Sequence, residues 1–275
     1  MQQADLVVLA DAAQQLESSN MATSISQIIG MPIEKAMSAL PGHWSNVVSK
    51  ITKKALEKAL DAALLSINKK SIKPKNKIHS LFVGVSGAVG GSFGIAALAV
   101  ELPVSATIML RSIADIAQSN GEDLEELDSK MACLTVFALN GGSSKSADSA
   151  DTSYYAVRSF LTKALGDTTN HIAVHGFSKE GAPMLVKLIN AVSARFSVPV
   201  SGKLAAQSLP VIGAVSGASV NWLFIRHYQN MARAHFAIRK LERKYGEAEL
   251  KKRYTAIVKY NYKKNERKWQ VVQKV

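Results

Sequence analysis

From Ser80 to Val100 the chain runs for 21 residues without a charge, SLFVGVSGAVGGSFGIAALAV. Glu101 interrupts the run, and nine further uncharged residues lead to Arg111. About 20 apolar residues suffice to cross a bilayer. This run, however, is built from Gly, Ala and Ser where a spanning helix would carry Leu and Phe. Gly87 and Gly91, like Gly90 and Gly94, stand at the G-x-x-x-G spacing that lets helix backbones approach closely. Gly and Ser contribute little transfer energy, and the mean hydropathy of the chain is only +0.04. A Glu101 inside a bilayer would cost about 2.5–3.5 kcal/mol. The run is therefore expected to be a helix buried on all sides by protein, ahead of reversible membrane insertion and of a stable span.

A second uncharged run, Leu204 to Ile225, lies between Lys203 and Arg226 and repeats the small-residue spacing at Gly213 and Gly217. Two such helices of matching length would pack as an antiparallel centre. Hydrophobic residues make up 47% of the 275 positions while aromatics make up 7%, so the apolar mass is Ala, Val, Leu and Ile. That composition with seven prolines favours helix. No useful strand alternation or hairpin signal occurs. The expected fold is all-α, a multi-helix bundle around two Gly/Ala-rich apolar central helices.

Helical spacing predicts helices over 3–17, 25–39 and 45–67, the last with Ile51, Ala55, Leu56, Ala59, Leu60 and Ile67 on one face. Pro103 is expected to divide the first run into a helix ending near Glu101 and another over 104–119, closed by Asn120-Gly121. Further helices are expected over 123–139 with an acidic first turn, from Asp151 to Gly166, over 168–175, over 181–196, and within 201–245. The chain then divides into N-terminal helices (1–42), a helical domain (43–246) and a basic C-terminal extension (247–275). The N-terminal apolar run lacks a preceding basic region and reads as an amphipathic helix, with no signal peptide. The single cysteine, Cys133, allows no intrachain disulfide, which suits a reducing compartment, and reads as a buried small hydrophobe.

The net charge of +13 is unevenly placed. Residues 226–275 carry +11 and residues 43–79 carry +7, while 1–42 and 80–225 are slightly acidic. This pattern points to an anionic partner surface, lipid headgroups or nucleic acid. In the C-terminal extension Tyr254, Tyr260, Tyr262 and Trp269 interleave with cations, which suits a membrane interface better than single-stranded nucleic acid, given the two apolar runs. Lys251, Lys252, Arg253, Lys263, Lys264 and Trp269 are the candidate membrane-surface contacts.

Signals for chemistry are weak. Glu101 needs a partner if buried, with Arg111, Arg226, His227 and Arg233 as candidates. Asn221, Arg226, Arg233 and Arg239, with Arg111, form a candidate anion cluster, read first as a network neutralising Glu101, Asp115 or Glu122. Glu101, His227 and His235 are the candidate catalytic set if the chain is a hydrolase. His171 and His175 have zinc-ligand spacing but lack the glutamate of H-E-x-x-H. GVSG is one residue short of a nucleophile elbow. The glycines match neither a P-loop nor a dinucleotide fingerprint. No metal and no cofactor are expected.

The segments ELPVSATIMLRSIADIAQSNGEDL (101–124), ACLTVFAL (132–139), YYAVR (154–158), AVSARFSVPVSGKLAAQ (191–207) and LPVIGAVSGASVNWLFIRHYQNMARAHFAIRKLERKYG (209–246) closely resemble the EcsC family of bacterial proteins. The resemblance spans roughly 45 to 246. It implies a helical bacterial protein, named for a gene beside an ABC-transporter operon and so tied to a membrane context. It brings no established activity. Hydrolase and peptidase labels that some members carry find no motif here. Together these readings predict a non-enzymatic cytoplasmic protein, peripheral to the inner membrane, that holds lipid or another apolar ligand between its Gly/Ala-rich helices. The alternatives are a hydrolase around Glu101, His227 and His235, and nucleic-acid binding through the basic extension.

Overall fold

The computed structural model describes residues 1–18, 21–38, 40–67, 94–139, 154–163, 182–208 and 213–272. They form ten α-helices and, among the described residues, no strand. In chain order these are α1 (Gln3–Ser18), α2 (Met21–Ile29), α3 (Ile33–Ser38), α4 (Trp44–Ile67) and α5 (Gly94–Ser119). After them come α6 (Leu127–Thr135), α7 (154–163), α8 (Ala182–Gln207), α9 (Gly213–Tyr245) and α10 (Glu247–Val272). A 3₁₀ turn, Val136–Ala138, extends α6.

The fold is all-α, as expected, and its hub is α9. At 33 residues it is about 50 Å long, and it packs against α1, α2, α5, α8 and α10. A second layer is made by α4 lying along α5 and α8. One continuous core runs from Leu9 through Leu98, Phe137 and Phe224 to Tyr254, so the helices at both ends of the chain share it. Its centre is aromatic: Phe137, Phe196, Phe224 and Tyr228 stack with ring centroids 4.8–5.9 Å apart. Tilted and edge-on contacts of this kind add to burial.

Pro103 does not divide α5. An interior proline removes one backbone bond and costs about 3 kcal/mol in a helix. Here the buried stripe Leu98, Leu102, Ala106, Met109, Ile113 and Ala117 continues through it at helical spacing, and the packing of that stripe offsets the loss. Likewise Pro199 sits inside α8, which runs to Gln207 and not to 196, because Val192, Phe196, Val200 and Leu204 form an unbroken buried row. The second uncharged run is not one helix. Ser208 ends α8, its N–H bonding to the carbonyls of Leu204 and Ala205 and its hydroxyl to that of Leu204. The rest of the run belongs to α9 from Gly213 onward.

α6 begins at Leu127, not at 123. Gly121 takes a left-handed φ of 84°, and the Glu122 N–H reaches back to the Ala117 carbonyl at 3.1 Å, the six-to-one bond of a Schellman stop. Asp123 Oδ1 then accepts the Glu125 N–H at 2.8 Å, a local turn that competes with helix. Gly87, Gly91, His171 and His175, and the helix expected over 168–175, lie outside the described residues. So do the surroundings of Gly213 and Gly217.

Candidate functional site

Three buried polar knots and one open surface compete as candidate sites. The first knot joins both ends of the chain. Tyr154, Tyr155 and Tyr254 stack with centroids 5.0–5.5 Å apart, all of them buried. Glu17 on α1 accepts the Tyr254 hydroxyl at 2.9 Å and the backbone N–H of Tyr154 at 3.1 Å, so one carboxylate ties α1 and α10 to the first turn of α7. Arg158 donates to Glu242 at 2.6 Å and to the Tyr154 hydroxyl oxygen at 3.3 Å, and Tyr155 donates to the same Glu242 oxygen at 3.1 Å. The Tyr154 hydroxyl also lies 3.0 Å from His235 Nδ1, in hydrogen-bond contact. His235 Nε2 meets no hydrogen-bond partner among the described residues. Burial, aided by the charges of Arg158 and Arg239, holds the His235 pKa well below its ordinary value.

The second knot surrounds Glu122, whose side chain is 2% exposed. Arg239 grips it with two parallel bonds of 2.9 Å. Arg243 and Ser129 complete the shell, and Arg239 also reaches Asp128 at 2.8 Å. Burial opposes the charge on Glu122. The hydrogen bonds from Arg239 and Arg243, the field of Arg239 and the Ser129 hydroxyl outweigh that opposition and hold the carboxyl at about 2. Nearby Cys133 is buried, and burial with the Glu122 charge pushes its thiol up to about 12, far from an activated thiolate.

The third knot answers what pairs with Glu101. None of the four expected cations does so; Lys203 on α8 donates to it at 2.7 Å. Lys203 is 1% exposed, its ammonium lying 5.2 Å from the centre of the Phe224 ring. Burial lowers its pKa, against the pull of Glu101. In sequence Lys203 merely bounded the second uncharged run. Its isolation among apolar residues was the available signal.

The remaining candidates are dispersed. His227 is buried edge-on to Tyr228, and burial alone pushes its pKa down to about 4. Arg226 is exposed and lies over the exposed ring of Trp222, 4.8 Å from its centre. Asn221 accepts from Gln207 at 3.4 Å. Arg233 is exposed and bonds Asn230 one turn back, and Arg111 is also exposed. Among the described residues Glu101, His227 and His235 share no bond, and no group of three metal-ligating side chains occurs.

The open surface is formed by α1 and α10. Leu250 and Tyr254 anchor α10 to the core. On the opposite face Lys252, Lys259 and Lys263 are exposed and fall within about 40° of one another around the helix axis. Lys251 is half-buried against the Tyr155 ring, and Arg253 pairs with Glu249 at 2.6 Å. Lys264 and Trp269 lie on α10, their side chains outside the described set. Beside the lysine row runs a groove of about 630 Å³, lined by Val7, Ala10, Asp11 and Gln14 of α1 and by Ala256, Ile257, Tyr260 and Asn261 of α10. Val7 is 62% exposed and Tyr260 68%. No signal short of pairing α1 with α10 points to this groove. Among the described residues no helix is long and apolar enough to cross a membrane.

No curated protein sequence and no solved structure matches the chain. A profile of the EcsC protein family does match, and it spans residues 4–241, from the first turn of α1 nearly to the end of α9. The chain is a member of the EcsC protein family.

Proposed function

We propose that the protein is a non-enzymatic, cytoplasmic component that sits peripherally on the anionic face of a membrane, with α10 as its contact element. The observation that carries this reading is the exposed row Lys252, Lys259 and Lys263 on a helix whose other face is fixed to the core by Leu250 and Tyr254. A rigidly presented row engages headgroups without the ordering cost of a disordered tail. Each lysine near an anionic surface is worth about 1 kcal/mol. Tyr260 beside the row has the amphipathic character favoured at the headgroup level.

The non-enzymatic part of the reading is supported by the polar knots. Tyr154, Tyr155 and His235 are closed to solvent, and Glu122 is saturated by two arginines and a serine. Such groups hold helices together. A catalytic pair needs a cleft that admits substrate.

The test is flotation with phosphatidylcholine vesicles, with and without phosphatidylglycerol. Wild-type protein is expected to float with the anionic vesicles only. The combined variant K252E/K259E/K263E is expected to lose that binding while keeping its melting temperature. Equal flotation of the variant and the wild type would refute the role given to α10.

A further inference from the structure

We propose that the groove between α1 and α10 receives one acyl chain of an anionic membrane lipid while the adjoining lysines hold its headgroup. The inference rests on the peripheral reading and adds to it the ligand and its seat. Around α10, Ala256 and Tyr260 occupy the sector between the lysine row and the face docked on the core, so groove and cations adjoin. The groove wall is mostly aliphatic and aromatic, contributed by Val7, Ala10, Ala256, Ile257 and Tyr260. Its volume of about 630 Å³ lies inside the range of about 300–1,000 Å³ usual for small-molecule sites.

The distribution of charge chooses the orientation. Asp11 lines the groove, so an anionic headgroup is disfavoured within it and favoured outside, on Lys259 and Lys263. A neutral hydrocarbon chain meets no such conflict. An anionic amphiphile thus satisfies both halves of the surface: its chain covers Val7 and Tyr260, which are otherwise left largely in water, and its head neutralises the row. The two halves respond differently to salt. Lysine–headgroup attraction is screened once the Debye length falls to about 3 Å, near 1 M salt, whereas apolar burial persists.

The experiment is flotation on phosphatidylglycerol-containing vesicles at low salt and at about 1 M salt, using the full chain. Its variants are Ala256→Trp, which fills the groove from an exposed position, and Val7→Ser, which removes part of its wall. Melting temperatures confirm that both variants fold. Wild type is expected to retain measurable binding at high salt. Excluding even two methylenes of chain should weaken affinity about tenfold, a loss read most clearly at high salt, where the electrostatic part is screened. If the wild type is eluted completely at high salt, or if both variants match it there, the acyl-chain proposal is wrong, while the lysine-held peripheral reading stands on its low-salt binding. Absence of binding at both salt concentrations removes both.

Discussion

At the scale of single residues, the three ion-pair knots differ in what their loss should cost. Lys203 is 1% exposed and Glu101 16%. Removing the carboxylate strands a fully buried ammonium, so Glu101→Gln should destabilise by about 3 kcal/mol. Removing the amine leaves an acid that water can reach, so Lys203→Met should cost less than about 1 kcal/mol. Urea denaturation of the two variants checks the asymmetry, and equal losses would contradict it. Two buried histidines set the acid response. His227 is held at about 4 by burial, and His235 is held well below its ordinary value by burial and two arginines. The unfolded chain, with histidines near 6.5, therefore binds more protons in the window beneath that value. Stability present above about pH 6.5 is lost as the pH falls towards 4. Glu122, at about 2 in the fold against 4.5 unpaired, adds a second loss over that lower window. The urea midpoint should fall steadily below about pH 6.5, and a flat profile down to pH 5 would contradict the burial of the histidines as neutral groups.

At the scale of elements, α10 is the helix whose standing changes most between sequence and structure. Its charge density reads as an appendage, yet Leu250 and Tyr254 are completely buried and Tyr254 closes the knot with Glu17. Deleting residues 247–275 should uncover Tyr154 and Tyr155 and lower the melting temperature by several degrees. Tyr254→Phe, which loses one hydrogen bond but keeps the ring, should cost only about 1 kcal/mol. An unchanged melting temperature on deletion would mean that α10 is not a packed element. The helix with the strongest periodicity was legible in the sequence: α4 follows the spacing of Ile51, Leu56 and Leu60. Pro103 misdirects because local propensity weighs about 3 kcal/mol, less than a buried stripe that continues on both sides. The start of α6 misdirects because an Asx turn at Asp123 captures the backbone before the acidic residues can begin a helix. The knots were legible only in part. Arg239 reads in sequence as a neutraliser of Glu101, Asp115 or Glu122, and it does meet Glu122, whereas the meeting of Glu17 with Tyr254, across more than 100 residues, is encoded by no periodicity.

At the scale of the whole molecule, the structure is a shell of helices around α9, with one end of the chain clasped against the other. Asp5 on α1 receives Lys244 at 2.8 Å, and Tyr245 bonds the same carboxylate, so α1 and the α9–α10 corner at Gly246 form one unit. The central claim is that α10 belongs to this folded body and is at once its membrane-contacting face. Hydrogen–deuterium exchange, with and without phosphatidylglycerol vesicles, tests both halves together. The account predicts that backbone amides of α10 around Leu250 to Val258 are already protected in the free protein, to a degree approaching the core of α9. It further predicts that vesicles slow exchange in α10 and α1 while leaving α2 and α3 unchanged. Rapid exchange along α10 in the free protein, or vesicle protection that falls elsewhere on the surface, would contradict it.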